Sequence, residues 1–431
     1  MNRFHLLFLG DPNLPSDIFA HLPDVPGLRI TSFQSRTDKA ISISRAPERT
    51  VCIDFNDVAE TMHMVRAVHA IDPFDGVMAI YELFTPLAGK IRDELGLCGV
   101  SARSVLAARD KLVTRDVLTK AGLSHVPYAK IDSAAELEAF VRETGGSVVL
   151  KPINGVASRC IFFVHSVEEV PAIWAKAVAD LDDPDWLTVS REGKLVGYMA
   201  ERLIDGAEFS VEAITHNRES HVIAVVEKGL KGAIESGHVV PPRALSRAQS
   251  DAMGGYVKRV LSAIEVDSGI SHTELKWSSA GPEVVEINLR LAGDSIPKVV
   301  QLAFGNNIVR DYLRLVVLGQ TPVRAQEEAA AIRFFLPQNC RIDAIENVEA
   351  AREIPGVRWV VMDHAPGKVI GEIRNSRDRA GYVIAHGKTH SFVEEAMNTA
   401  FRTVKFVESR VDAAGGSRGA PGGARANHVS T

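Results

Sequence analysis

Short apolar runs alternate with longer amphipathic stretches over the first hundred residues. Residues 6–9, 29–33, 50–53 and 76–80 read as buried strands, while 58–71 and 85–95 repeat apolar side chains at helical spacing, the second ending at Gly96 as a left-handed cap. Strands that alternate with helices predict an α/β unit with a parallel, doubly wound sheet. No two glycines stand in the GxG relation anywhere in the chain, so the dinucleotide fingerprint of that architecture is absent.

A second unit begins near Ser104. Helices are expected over 111–120, before Gly122, and over 134–143, between an N-cap at Asp132 or Ser133 and Gly145-Gly146. Strand 148–152, which Pro152 must end or place at an edge, and strand 160–164 flank a polar loop, predicting a hairpin. The polar segment from Lys231 to Pro242 reads as irregular and proline-stopped. Residues 331–410 read as a further α/β piece. From Asp412 the chain is rich in Gly, Ala and Ser and lacks the apolar side chains needed to order itself. The Gly415-x-Ser417-x-Gly419 match there has neither the strand nor the helix that a nucleophile elbow requires.

The most informative pattern is a predicted hairpin. His272-Thr273-Glu274-Leu275-Lys276-Trp277 is followed by a Ser-Ser-Ala-Gly-Pro turn and by Glu283 to Arg290, which alternates with Val285, Ile287 and Leu289 on one face and Glu286, Asn288 and Arg290 on the other. Symmetry about Ala280 sets Glu274 opposite Glu286 and His272 opposite Asn288. Like charges directly opposite on a sheet are destabilising, and a divalent cation between them reverses the sign. Glu274, Glu286 and the Asn288 amide form a hard-oxygen set suited to Mg²⁺, with Arg290 beside it for an anion that gains charge during reaction. A solvated hairpin with its charges paired in water is the alternative.

Composition narrows the partners. Lys and Arg number 49 against 54 Asp and Glu, a net charge of −5, which gives no basic surface for nucleic acid. Cys52, Cys98, Cys160 and Cys340 form no CxxC pair, and no run approaches the length of a membrane span. Reduced thiols and a cytoplasmic location are the expectation. Lys151 closes an apolar strand beside a loop containing Asn154, Gly155 and Ser158, and Lys111 is a second phosphate contact or an ordinary surface lysine. Glu82 lies where it could reach a cleft from the first unit.

Arg109-Asp110-Lys111, Val149-Leu150-Lys151-Pro152, the run Met199 to Val211, and Glu286-x-Asn288-x-Arg290-x-x-Gly293 together resemble the ATP-grasp superfamily, in order over about Ser104 to Leu318. The resemblance implies a pre-ATP-grasp domain (1–103), an ATP-grasp domain of α+β character (104–330, with a nucleotide lid around 147–200 and a metal hairpin at 271–293), an extension (331–410) and a disordered tail (411–431). It implies that Lys111 and Lys151 meet the phosphates of ATP, that Ala157 and Ser158 lie in the covering loop, and that Glu201, Arg202, Leu203 and Ile204 form the hinge reading adenine. Glu208 would reach the ribose, Glu274, Glu286 and Asn288 would hold Mg²⁺ (with Mn²⁺ able to substitute), and Arg290 would be catalytic. The Glu235-Ser236-Gly237-His238 core is similar to a segment of the L-amino acid ligases, with Glu235 and His238 as amino acid contacts. The implied activity is an ATP-dependent ligase that activates a carboxylate as an acyl-phosphate and joins it to an amine, releasing ADP and phosphate. Bicarbonate-activating or nucleotide-biosynthesis ligases and a silent nucleotide-binding module are the alternatives, and a homodimer is compatible with the family.

Overall fold

The computed structural model describes residues 3–10, 25–35, 48–155, 159–181, 196–232, 234–373 and 375–410. Ala157, Ser158 and the segment 411–431 lie outside them. Strands β1 (Phe4–Leu9), β2 (Leu28–Ser35), β3 (Arg49–Ile53) and β4 (Gly76–Ala79) form a parallel sheet in the order β3-β2-β1-β4. The apolar runs fill its centre because parallel strands are covered on both faces, here by the helices Val58–Ile71 and Thr85–Leu95 on one side. Gly96 ends the second helix at φ 66°. Glu82 follows just beyond the carboxyl end of β4.

An antiparallel sheet comes next, built from β5 (Tyr128–Ile131), β6 (Val148–Pro152), β7 (Phe162–Val164) and β8 (Tyr198–Arg202) in the order β5-β8-β6-β7. The predicted hairpin of β6 and β7 is present. The main body is an eight-stranded sheet, β13-β12-β9-β10-β11-β14-β18-β16. Its first five strands in the chain are β9 (Ala207–His216), β10 (Glu219–Lys231), β11 (Ile234–Val240), β12 (Gly269–Ser278) and β13 (Gly281–Asn288). Strands β14 (Ala329–Phe335), β15 (Cys340–Glu346), β16 (Val357–Met362), β17 (Val369–Ile370), β18 (Gly381–Gly387) and β19 (Lys405–Arg410) follow. Three of these extend the main sheet across residue 330, while β17-β15-β19 make a small sheet of their own. One face of the body packs on helices Ile296–Phe304 and Ile308–Leu318 and on the N-terminal unit, and the other on helices Arg247–Ala263 and His390–Thr403.

Two readings of the sequence change. The segment 231–242, expected to be irregular, contains β11, an interior strand hydrogen-bonded to both β10 and β14. Its polar residues misled because Glu235 is matched by Lys228 and Ser376 inside the protein rather than by water. The β12–β13 hairpin has the predicted pairs Glu274 with Glu286 and His272 with Asn288, but a bulge lies between Glu274 and Leu275. The turn is therefore tighter than symmetry about Ala280 implies, and the extra residue on β13 is Val285. Val284 takes the core position at 0% exposure, and Val285 turns to the cleft beside Glu286.

Candidate active site

The first helical residue, Lys111, is set by Asp110, whose carboxylate caps the amides of Leu112 and Val113. Its own amide donates to Ile153 O at 3.1 Å, fastening this helix start to the loop after β6. Lys111 Nζ then donates to Gly155 O at 3.2 Å and meets Glu286 Oε1 at 2.7 Å. A cleft opens between the β5–β8 sheet and the main sheet. Lys111, Lys151, Glu201, Leu203, Ile204, Glu208, Glu235, Glu274 and Glu286 all line it.

Lys151, on β6, is buried and gives Nζ to Glu201 Oε1 at 2.6 Å and to Val285 O at 3.4 Å. Burial, with Arg115 and Lys111 nearby, pulls its pKa below the usual lysine value despite Glu201. Burial alone would raise the Glu201 carboxyl, but Arg115 and Lys151 outweigh it and hold the pKa at about 2. Arg115, 2% exposed, contacts Glu201 Oε2 at 2.9 Å, Glu283 Oε1 at 3.3 Å and Val284 O at 2.7 Å. It clamps β8 to the β12–β13 hairpin. At the hinge, the Arg202 amide is given to Pro127 O and the Leu203 amide to Ser147 O, and Lys276 Nζ holds Ile204 O at 3.0 Å. The Arg202 side chain is exposed and is not part of the cleft lining.

The far wall is a cluster of charge. Lys228 Nζ lies 2.9 Å from Glu274, 3.1 Å from Glu208 and 3.6 Å from Glu235. Desolvation opposes the lysine's charge, yet the three carboxylates raise its pKa well above the ordinary value. Burial raises the Glu208 carboxyl, whereas at Glu274 Lys228 and His272 overcome burial and hold the carboxyl far below its ordinary value. Behind Glu274, buried His272 lies 3.1 Å from that carboxylate and 2.8 Å from Glu212 Oε1, and the two overcome desolvation to raise the imidazole to about 9. Arg290 is forked between Glu82 Oε2 at 2.8 Å, Leu291 O at 2.8 Å and Asn288 Oδ1 at 3.3 Å. Asp294 holds Arg379, and His238 Nε2 stands 3.5 Å from the same carboxylate with its ring edge against Phe334. His238 is 1% exposed and is not part of the Lys111–Lys151 cleft lining, whereas Glu235, bonded to Ser376 Oγ at 3.1 Å, lines that cleft.

Among the described residues no three His, Cys, Asp or Glu side chains form a ready metal cluster. The donors nonetheless fit a hard divalent cation. Glu274 and Glu286 face each other across one strand pair, each already holds an ammonium group within 3 Å, and an amide oxygen follows two residues on at Asn288. Lys228, Arg115 and Lys276 escaped the sequence reading. Arg115 left a trace, since it occupies the buried face of its helix with Leu118, where an arginine demands a buried partner. Lys228 left none, since Glu227 and Lys231 beside it make that end of β10 read as an ordinary polar strand end.

Residues 145–298 match the family model of the ATP-grasp domain, residues 26–99 that of the ATP-grasp N-terminal domain, and residues 333–409 that of the L-amino acid ligase C-terminal domain 2. The chain belongs to the ATP-grasp superfamily. This ATP-grasp chain is similar over 95% of its length to the crystal structure of an L-amino acid ligase from Bacillus licheniformis, at a TM-score of 0.79, with 22% identity and the whole of that chain covered. It is 27% identical over 333 residues to an uncharacterized protein of Sinorhizobium fredii, covering 76% of this chain and 67% of that one. It is 22% identical to the alanine–anticapsin ligase of Bacillus subtilis over 57% of this chain, and spans 54% of that ligase. Two of these relatives are named as ligases, one of L-amino acids and one of alanine with anticapsin. No described helix is long and apolar enough to cross a membrane.

Proposed function

We propose that the protein activates the carboxylate of an amino acid with the γ-phosphoryl group of ATP and passes the acyl group to an amine, releasing ADP and phosphate. The observation that carries this reading is the facing pair Glu274 and Glu286 in a cleft whose opposite walls supply Lys111 and Lys151. A carboxylate is a poor electrophile because its leaving group would be oxide. Phosphorylation gives it a leaving group that an amine nitrogen displaces, forming the C–N bond as phosphate departs.

Little covalent help is needed from the protein, so positioning and charge neutralisation carry the catalysis. Lys111 and Lys151 would hold the phosphates, and the 201–204 hinge and Glu208 would hold the nucleoside. Glu274, Glu286 and Asn288 would hold Mg²⁺, which when bound supplies charge neutralisation at the transferring phosphoryl group. Arg290, fixed by Glu82 and Asn288, would face the tetrahedral species formed as the amine adds, and its rigid fork costs no reorganisation at that moment. Glu235 would accept the ammonium group of an amino acid. Its tie to Ser376 comes from the part of the chain matched by the L-amino acid ligase model, which favours amino acids over bicarbonate. The test is phosphate release from ATP and Mg²⁺ across a matrix of amino acid pairs, with mass spectrometry of the products. Turnover stimulated by particular pairs supports the reading, and a matrix without any stimulating pair defeats it.

A further inference from the structure

The reaction proposed above assigns nothing to Lys228, the buried lysine at the centre of the charged wall. It stands in β10 at 6% exposure, and its three carboxylates come from three other strands: Glu208 on adjacent β9, Glu235 on adjacent β11 and Glu274 on β12, one strand beyond β9. In the functional reading these serve different ligands, Glu274 the metal, Glu208 the ribose and Glu235 the amino acid's ammonium group. An ammonium group has three donors and a compact charge, so a single Nζ can serve all of them. Without it, Glu208, Glu235, Glu274 and Glu286 would line one cleft with one net positive charge fewer, a poor reception for a polyanion.

We infer, on the basis of that reading, that Lys228 is a positioning residue that joins the metal, ribose and amine subsites and makes the metal enter with its nucleotide rather than ahead of it. A bare divalent cation approaching Glu274 meets an ammonium group already 2.9 Å from that carboxylate. A metal–nucleotide complex carries net negative charge and is drawn to the same lysine. Removing the lysine therefore shifts the two affinities in opposite directions, whereas loss of a merely structural contact weakens both.

The experiment measures Mn²⁺ binding to the nucleotide-free full chain by electron paramagnetic resonance, and MgADP binding by titration calorimetry. For Lys228→Met the expectation is Mn²⁺ binding tighter by about tenfold or more, with MgADP binding weaker by about tenfold, from Coulomb energies at a few ångströms in a partly buried site. Lys228→Arg keeps the charge and is expected to hold both affinities within about threefold. Mn²⁺ binding by Lys228→Met that equals or falls below wild type overturns the inference. Should the methionine variant not fold, Lys228→Gln replaces it with the same expectation; if neither neutral variant folds while Lys228→Arg does, the lysine is only a structural support and the inference fails. Failure of wild type itself to bind MgADP would instead defeat the functional reading.

Discussion

Replacing Arg115 with methionine removes one guanidinium that bonds to the hinge strand, through Glu201, and to the metal hairpin, through Glu283 and Val284 O. Truncating one partner of a buried ion pair costs roughly 3–5 kcal/mol, because the other charge stays buried. Two features move the expectation to the low end. Glu201 keeps Lys151 at 2.6 Å, and burial already raises the Glu283 carboxyl, so it can take up a proton. At about 2.1 cal/mol/K per residue, 431 residues give an unfolding entropy near 0.9 kcal/mol/K, so a loss of about 3 kcal/mol lowers the melting midpoint by roughly 3 °C. Differential scanning calorimetry of wild type, Arg115→Met and the double variant with Glu201→Gln measures it. The double variant should fall further, since Glu201→Gln also takes the carboxylate from buried Lys151. A midpoint lowered by less than about 1 °C would refute the clamp.

Arg290→Met should lower turnover at least about a hundredfold while changing ADP affinity by less than about threefold, measured by steady-state kinetics and calorimetry; equal losses would contradict a role confined to the tetrahedral species. Glu201, held at about 2 when folded against 4.5 for the free group, stabilises the fold above pH 4.5, and that contribution is lost as pH falls toward 2. The melting-point difference between wild type and Glu201→Gln should therefore shrink across that window. Gly206 has φ of 108° and a Cβ there would stand 2.0 Å from Trp277 O, so Gly206→Ala should destabilise the chain by about 2 kcal/mol or more, read as a lowered midpoint.

Much of this molecule was legible in its sequence. The four parallel strands and the helices at 58–71, 85–95 and 111–120 followed from periodicity and caps, because their apolar faces are continuous and each helix has one end marked by a capping residue, Asp57, Gly96 and Asp110. The facing glutamates pair as predicted because the bulge offsets a turn one residue tighter than symmetry about Ala280 implies. The bulge itself was not legible: a single extra residue leaves the apolar alternation unchanged while exchanging Val284 for Val285 in the core. Strand β11 was missed for a related reason, since Glu235 and Ser236 look like a solvated loop until Lys228 and Ser376 are placed beside them. Charges that satisfy one another across separate strands leave no local pattern, and Lys228 acts that way.

Carboxylate activation by the γ-phosphoryl group can be followed atom by atom. With an amino acid pair that turns over, the donor is supplied with ¹⁸O in its carboxylate and the released inorganic phosphate is analysed by mass spectrometry. Attack of that carboxylate on the γ-phosphorus leaves one labelled oxygen in the phosphate and yields unlabelled ADP. Unlabelled phosphate, or label recovered in AMP, would contradict the reaction proposed for this cleft.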